Sequence, residues 1–186
     1  MEKIRYQIEF LSDWHVGSGL DAGAKADNLV LKDDDGLPFI PGKTIKGLLK
    51  DALYEMAEVN QIDSNHLYKL MGKDANEKEN IPSEKGNAYF SNASLPETER
   101  KDLINNNLQE HLYRTISSTR INDKGVADRG SLRTMEVCMP VVLEGEIEYK
   151  NSEHKAILEI ALKWTRHLGV NRNRGLGRCI FTLKTN

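Results

Sequence analysis

The tripeptide Gly42-Lys43-Thr44 has the residue types that close a phosphate-binding loop, so nucleotide hydrolysis is the first chemistry to test. The loop motif requires a glycine five positions before Gly42, and that position is occupied by Leu37. Pro38 and Pro41 also lack the backbone N–H groups with which such a loop surrounds phosphate oxygens. We therefore predict that the chain neither binds nor hydrolyses a nucleotide.

Basic residues are concentrated in three segments, although the whole chain carries a net charge of −2 from 26 basic and 28 acidic residues. Residues 41–50 and 163–178 contain several lysines or arginines and no acidic residue. Residues 113–133 hold more basic than acidic side chains. One such segment is ordinarily a solvated surface, but three together favour an anionic ligand.

The composition is that of a soluble globular protein, with 186 residues, 39% hydrophobic and 29% charged. No apolar run approaches the roughly 20 residues that cross a bilayer, and the first residues lack the apolar core of a signal peptide. These features predict a cytoplasmic protein without a membrane partner. Cys138 and Cys179 have no metal-type spacing, so we expect two reduced, buried thiols.

The apolar pattern predicts an α+β fold. Alternation indicates a strand over residues 3–11, and an i, i+3, i+4 ladder indicates a helix that begins near residues 41–44, where Thr44 could cap it. Further strands are expected at 87–95, on both sides of Pro140 and at 179–184, with helices at 97–113 and 153–168. This order predicts a ferredoxin-like core, as in the RNA recognition motif (RRM), with an antiparallel sheet and two helices on one face.

The whole chain, residues 1–186, is expected to be one domain. Residues 60–86 are polar and predict a mobile loop, and residues 114–134 predict an inserted, thumb-like hairpin. The aromatic signature with which RRM sheets stack RNA bases is absent from the sequence. Base stacking on the sheet is therefore not the expected mode of binding.

Three segments, 14–53, 118–137 and 168–181, resemble the RAMP superfamily of CRISPR-associated proteins, and in particular the backbone subunits of type III effector complexes. The most specific element is the Pro-Gly-x-x-x-Lys-Gly run at 41–47. The resemblance implies a single RAMP domain that binds guide RNA and target RNA. It also implies contacts with other effector subunits or with copies of itself.

The RNA-binding residues implied by the resemblance lie in four places. Gly42 would let the backbone approach a phosphate closely, and the N–H groups at the helix N-terminus would donate hydrogen bonds to it. The inserted hairpin would press between guide and target bases. Glu136 is expected to hold an arginine rather than to touch RNA. The candidate residues are His15, Gly17, Gly19, Gly42, Lys43, Thr44, Lys46, Arg120, Arg129, Arg133, Arg172, Arg174, Gly175 and Gly177.

The candidate for catalysis is Asp27, because the resembling backbone subunits cleave target RNA with an aspartate at the corresponding loop position. Its carboxylate would bind Mg²⁺ or accept the proton of the attacking 2′-OH. Asp21 lies in the same loop and is a rival. Two alternatives remain open: a guide-processing endoribonuclease that uses His15, and a structural subunit without catalysis. The cleavage products would distinguish the three hypotheses. Evenly spaced cuts in target RNA indicate a cleaving backbone subunit, and one cut per repeat in a precursor RNA indicates a guide-processing enzyme. Tight binding without cleavage indicates a structural subunit.

Overall fold

The computed structural model describes residues 1–19, 28–73, 75 and 82–184. Strand β1 (Glu2–Phe10) lies inside the main sheet, between the edge strand β10 (Cys179–Leu183) and β9 (Val142–Tyr149), and is antiparallel to both. Beyond β9 lie β5 (Tyr89–Phe90) and β6 (Ala93–Ser94), and β6 pairs with β2 (Phe39–Ile40). The alternation in β1 is confirmed, because every second residue from Ile4 to Phe10 is buried.

Two helices cover the apolar face of this sheet. Helix α1 (Gly42–Glu58) buries Leu49 and Leu53, and α4 (His154–Trp164) buries Leu158 and Leu162. Each fully buried leucine contributes about 1.5–3 kcal/mol relative to its exposed state. The chain order β1, α1, β5 with β6, β9, α4, β10 and the strand order β10-β1-β9-β6 are those of a ferredoxin-like fold. The predicted fold class is therefore confirmed.

The prediction of a mobile loop over residues 60–86 is wrong for residues 64–71. These residues form helix α2 (Ser64–Met71), which is followed by the short strands β3 (Gly72–Lys73) and β4 (Glu84–Lys85). Asp63 caps the helix by accepting a hydrogen bond of 2.9 Å from the Asn65 N–H. Leu67, Leu70 and Met71 are buried. A stripe of three apolar residues is too short to signal a helix by itself, and its stability comes from packing against the core.

An inserted hairpin interrupts the core between its second and third main strands. Helix α3 (Glu97–Asn105) precedes it and ends eight residues earlier than the predicted helix, because a 3₁₀ turn (Gln109–Leu112) replaces the last part. Strands β7 (Tyr113–Ser118) and β8 (Arg133–Cys138) pair in continuous antiparallel register. The hairpin expected over residues 114–134 is therefore present and slightly longer.

Both cysteines are buried and free, as the sequence predicts. Burial raises the pKa of the Cys138 and Cys179 thiols to about 12, which keeps them protonated near neutral pH. Among the described residues, no helix combines the length and the apolar character needed to cross a membrane.

Candidate nucleic-acid interface

The loop after β1 and the glycine-rich turn before β10 are hydrogen-bonded to each other. The Val170 N–H donates to the His15 carbonyl at 3.0 Å, and the Gly177 N–H donates to the Asp13 carbonyl at 2.7 Å. A β-carbon at Gly177 would lie 1.9 Å from the Leu168 carbonyl oxygen, so this position must be glycine. The two predicted loops therefore form one surface of the protein.

The buried side chain of His15 connects the loop after β1 to strand β8. Its side chain is 3% exposed, and its Nδ1 lies 2.7 Å from the Glu136 carbonyl oxygen. That burial does not fit the expectation that the His15 ring touches RNA. Gly17 and Gly19 of the same loop are exposed, and Gly19 has a positive φ of 79°.

Glu136 holds a lysine, and the expectation of an arginine partner is wrong. Its carboxylate lies 2.9 Å from Lys32 Nζ and accepts the Val30 N–H at 3.0 Å. The Glu136 N–H donates to the Asn28 carbonyl at 3.0 Å, so β8 anchors the segment that begins at Asn28. Asp27, the proposed catalytic residue, and its rival Asp21 lie outside the described residues.

Four of the predicted arginines line a single cleft of about 660 Å³, termed the arginine cleft. Arg120, Arg129 and Arg133 come from the hairpin, and Arg174 comes from the glycine-rich turn. The Ser131 hydroxyl accepts the Arg120 N–H at 3.1 Å and donates to the Asp128 carbonyl at 2.8 Å, which fixes the base of the hairpin loop. The cleft brings together positions that are more than 40 residues apart in sequence.

The arginine cleft is only partly neutralised. Among the described lining residues, Asp128 is the acidic one, and it lies 3.4 Å from Arg120 Nε. The Arg120 side chain remains 81% exposed, so its guanidinium can still reach a ligand. Arg172 is separate, because it borders a smaller depression that also contains Asp51 and Glu55. Gly175 is exposed and ends the short 3₁₀ turn with a φ of 87°.

The start of α1 is shaped by internal packing. Pro41 is the N-cap and Thr44 the third helical residue, so the expectation that Thr44 caps the helix is wrong. The Gly42 N–H donates to Asn92 Oδ1 at 3.0 Å, and the Thr44 N–H donates to the Pro41 carbonyl at 2.8 Å. These amides are therefore already occupied, and fewer remain for a phosphate than the sequence suggested.

Gly42 is required by a neighbouring strand. A β-carbon there would lie 2.1 Å from the Phe90 carbonyl oxygen, so the close approach that needs a glycine is between α1 and β5. Lys43 is exposed and Lys46 is half-exposed. Both line a cleft of about 530 Å³ together with Lys73 and Lys85, termed the lysine cleft.

Lys73 and Lys85 are functional candidates that the sequence pattern did not single out. The sequence did contain a signal for these two residues. A glycine–lysine pair stands at each end of the most polar part of the predicted loop, Gly72-Lys73 before it and Lys85-Gly86 after it. The register of β3 with β4 pairs Gly72 with Lys85, which brings the two ends together.

The open face of the main sheet is neutralised by ion pairs. Lys3 contacts Glu146 at 2.6 Å and Glu148 at 2.8 Å, and Lys184 contacts Glu144 at 2.6 Å. The pKa of the Glu146 carboxyl is lowered by its hydrogen bond from Lys3, and that of Glu144 by its hydrogen bond from Lys184. This face would repel phosphates about as much as attract them, so RRM-like binding across the sheet is disfavoured.

The described residues contain no group of three or more His, Cys, Asp or Glu side chains that could hold a metal ion. The Mg²⁺ expected from the resemblance therefore finds no ready ligand set within residues 1–19, 28–73, 75 and 82–184. That expectation rests on Asp27, which lies in the gap between the first two of these ranges.

Comparisons with known proteins agree with the fold. Two solved structures align along nearly the whole chain, with 16% and 15% identity. The first is described as the apo state of "Type III-B Cmr-beta" and has a TM-score of 0.72. Its alignment covers 99% of this chain and 98% of the other chain. The second is described as "Type III-B Cmr-beta bound to cognate target RNA" and has a TM-score of 0.74. Its alignment covers 98% of this chain and 97% of the other chain.

At the sequence level, no curated protein matches the chain. A model of the RAMP superfamily, in contrast, matches residues 7–180, from β1 to β10. This span includes the core strands, both covering helices, the hairpin and the glycine-rich turn. The chain belongs to the RAMP superfamily.

Proposed function

We propose that this protein is a guide-RNA-binding subunit of a type III CRISPR effector complex. The observation that carries the proposal is the arginine cleft, in which the hairpin and the glycine-rich turn present four arginines to one space. Membership of the RAMP superfamily supports it, as do two structural neighbours described as type III-B complexes, one with target RNA bound.

The chemistry of the cleft favours RNA phosphates. Guanidinium groups donate planar pairs of hydrogen bonds to phosphate oxygens. The described lining residues include four arginines and one carboxylate, so their net charge is positive. Contacts of this kind do not depend on base identity, so binding would be strong at low salt and weakly selective for sequence.

The test is RNA binding by the full chain, measured by fluorescence anisotropy with a labelled single-stranded RNA at several salt concentrations. Each phosphate neutralised should contribute a slope of about −0.7 in log K against log salt. Replacing Arg120, Arg129 and Arg133 with glutamine should make the slope shallower by up to about 2. A variant with Lys101, Lys150 and Lys155 changed to glutamine is the charge-matched control, and should retain the wild-type slope. Equal slopes in both variants would overturn the assignment of the cleft.

We further propose that the assembled complex cleaves target RNA with the help of Asp27 and Mg²⁺. This part rests on the resemblance of the loop to those of cleaving backbone subunits. The burial of His15, with its Nδ1 held by the Glu136 carbonyl, favours a structural role for that ring over guide processing.

Cleavage is tested in the intact complex with a complementary target RNA and Mg²⁺. Asp27→Asn should abolish cutting while target binding and assembly are retained, and Asp21→Asn is the matched control that should still cut. If wild type binds target but never cuts it, the structural-subunit alternative is correct. One cut per repeat in a precursor RNA, lost in His15→Ala, would instead support guide processing.

A further inference from the structure

The lysine cleft lies where three separate segments meet. Its walls are the first turn of α1, the end of α2 with the β3–β4 pair, and strand β5. Lys43 and Lys46 stand on the first wall, and Lys73 and Lys85 on the second. The cleft thus joins the most specific motif of the sequence to a segment that the sequence alone presented as a loop.

Close backbone contacts build the second wall. A β-carbon at Gly72, which has a φ of 85°, would lie 2.4 Å from the Glu84 carbonyl oxygen. A β-carbon at Gly86 would lie 2.2 Å from the Leu70 carbonyl oxygen. The Ala88 N–H donates to that same carbonyl at 3.1 Å. These contacts fix β3 and β4 against the end of α2, so the two lysines are held beside the cleft.

The four lysines have no acidic partner among the described residues. Lys3 and Lys32, for comparison, contact glutamates at 2.6 and 2.9 Å. Within the part of the chain that the structure describes, no ion pair neutralises Lys43, Lys46, Lys73 or Lys85. Lys73 Nζ lies 5.5 Å from the centre of the Tyr68 ring, and Glu84 is the acidic residue in the lining. The described part of the lining therefore carries four positive charges and one negative charge.

A concentration of unpaired positive charge is electrostatically unfavourable and is relieved when an anion binds. Lysines are flexible point charges, which suit the phosphates of a polymer chain better than one fixed planar group. Tyr89, which is 52% exposed, borders the same cleft and offers a ring to an unstacked base. Basic grooves with an exposed aromatic ring are characteristic of single-stranded nucleic-acid binding.

We propose that the lysine cleft is a second RNA-binding site, which extends the contact that the resemblance implies at Lys43 and Lys46. Lys73 and Lys85 hold backbone phosphates of a single-stranded segment opposite these two lysines, and Tyr89 stacks on one base. This inference rests on the proposed function, because it extends the same RNA beyond the arginine cleft. The chain between β3 and β4 also carries Asp74, Glu77 and Glu79 outside the described residues, so contact must be measured at the lysines themselves.

The first experiment is lysine protection in wild-type protein. The full chain is acetylated with an N-hydroxysuccinimide ester, with and without single-stranded RNA, and modification is read by mass spectrometry. Lys73 and Lys85 should be protected at least severalfold by RNA, whereas Lys101 on α3 should not be. Unchanged modification of Lys73 and Lys85 in RNA-saturated protein would overturn the proposal. Because only wild-type protein is used, this result does not depend on whether a variant folds.

The second experiment uses substitutions. Lys73→Gln with Lys85→Gln should make the salt slope shallower by about 1.4, while Lys101→Gln with Lys155→Gln should not change it. Tyr89→Ala should weaken RNA binding, and Tyr89→Phe should restore it because the ring is kept.

The outcomes separate this inference from the proposed function. If RNA binding depends on the arginine cleft and is unaffected by both lysine changes, the second site is refuted and the proposed function stands. If wild type shows no salt-dependent RNA binding at all, the proposed function fails first. If Tyr89→Phe binds as weakly as Tyr89→Ala, the stacking role is refuted.

Discussion

Gly42→Ala is the sharpest test of how the start of α1 is held. A β-carbon at this position would lie 2.1 Å from the Phe90 carbonyl oxygen and 2.9 Å from that of Ser91. Even close carbon–oxygen contacts in proteins are ordinarily at about 3.3 Å or more, so the first turn would have to move by about 1 Å. That movement would disturb the packing of Ile45 and Leu49, which are fully buried.

The expected cost follows from this overlap. Overpacking at a rigid site costs about 1–3 kcal/mol, and for a chain of this size 1 kcal/mol corresponds to a Tm change of about 2–4 °C. Gly42→Ala should therefore lower Tm by roughly 2–12 °C. It should also displace Lys43 and Lys46 relative to Lys73, which would weaken RNA binding in the lysine cleft.

Gly47→Ala in the same helix is the matched control. Gly47 is exposed, and a β-carbon there would meet nothing within 4 Å. Because alanine favours the helix over glycine, this change should stabilise the protein by about 0.5–1 kcal/mol. Urea unfolding followed by circular dichroism measures both variants. If Gly42→Ala were as stable as wild type or Gly47→Ala, packing against Phe90 would not be the reason for glycine at position 42.

Two further predictions concern buried polar groups. Glu136→Ala should lower the free energy of unfolding by about 1–3 kcal/mol because the Val30 N–H loses its acceptor. Glu136→Gln, which keeps an acceptor oxygen, should lower the free energy of unfolding by less. Equal stability of both variants and wild type in urea would contradict this role. Burial and the neighbouring His66 lower the pKa of His154, whose ring is 1% exposed and has both nitrogens unpaired among the described residues. Below about pH 6.5 the unfolded chain therefore binds a proton that the folded chain does not, so stability should fall from pH 7 to pH 5.5. His154→Leu should flatten that dependence, and an unchanged pH profile would refute the assignment.

Local pattern predicted much of the fold because each main element carries its own signal. The period of two in residues 3–11 and the four-turn apolar ladder after Gly42 can each be recognised from the sequence of that segment alone. Helix α2 was not predicted because its three buried residues span only two turns, and what stabilises them is packing against α1. The predicted helix at 97–113 was too long because its apolar stripe is weak, and the break lies at Asn107, which has a φ of 54°.

For the site, the sequence identified the hairpin and turn arginines but not their grouping. Arg120, Arg129 and Arg133 converge with Arg174 because the glycine-rich turn is hydrogen-bonded to the loop after β1, which itself packs on the hairpin. Arg172, two residues from Arg174, borders a different depression. Spacing along the chain cannot separate two such neighbours, because the direction of each side chain depends on the turn between them.

The sequence by itself determined the chemical character of this protein: an antiparallel sheet covered by two helices, basic segments on a nearly neutral chain, and a motif at 41–47 that does not match the pattern of a nucleotide-binding loop. The tertiary structure decided which charges are free. It neutralised Lys3, Lys32 and Lys184 with glutamates and left Lys43, Lys46, Lys73 and Lys85 without acidic partners among the described residues. Composition counts charges, whereas the field at a surface depends on distances of a few ångströms that only the packed chain fixes.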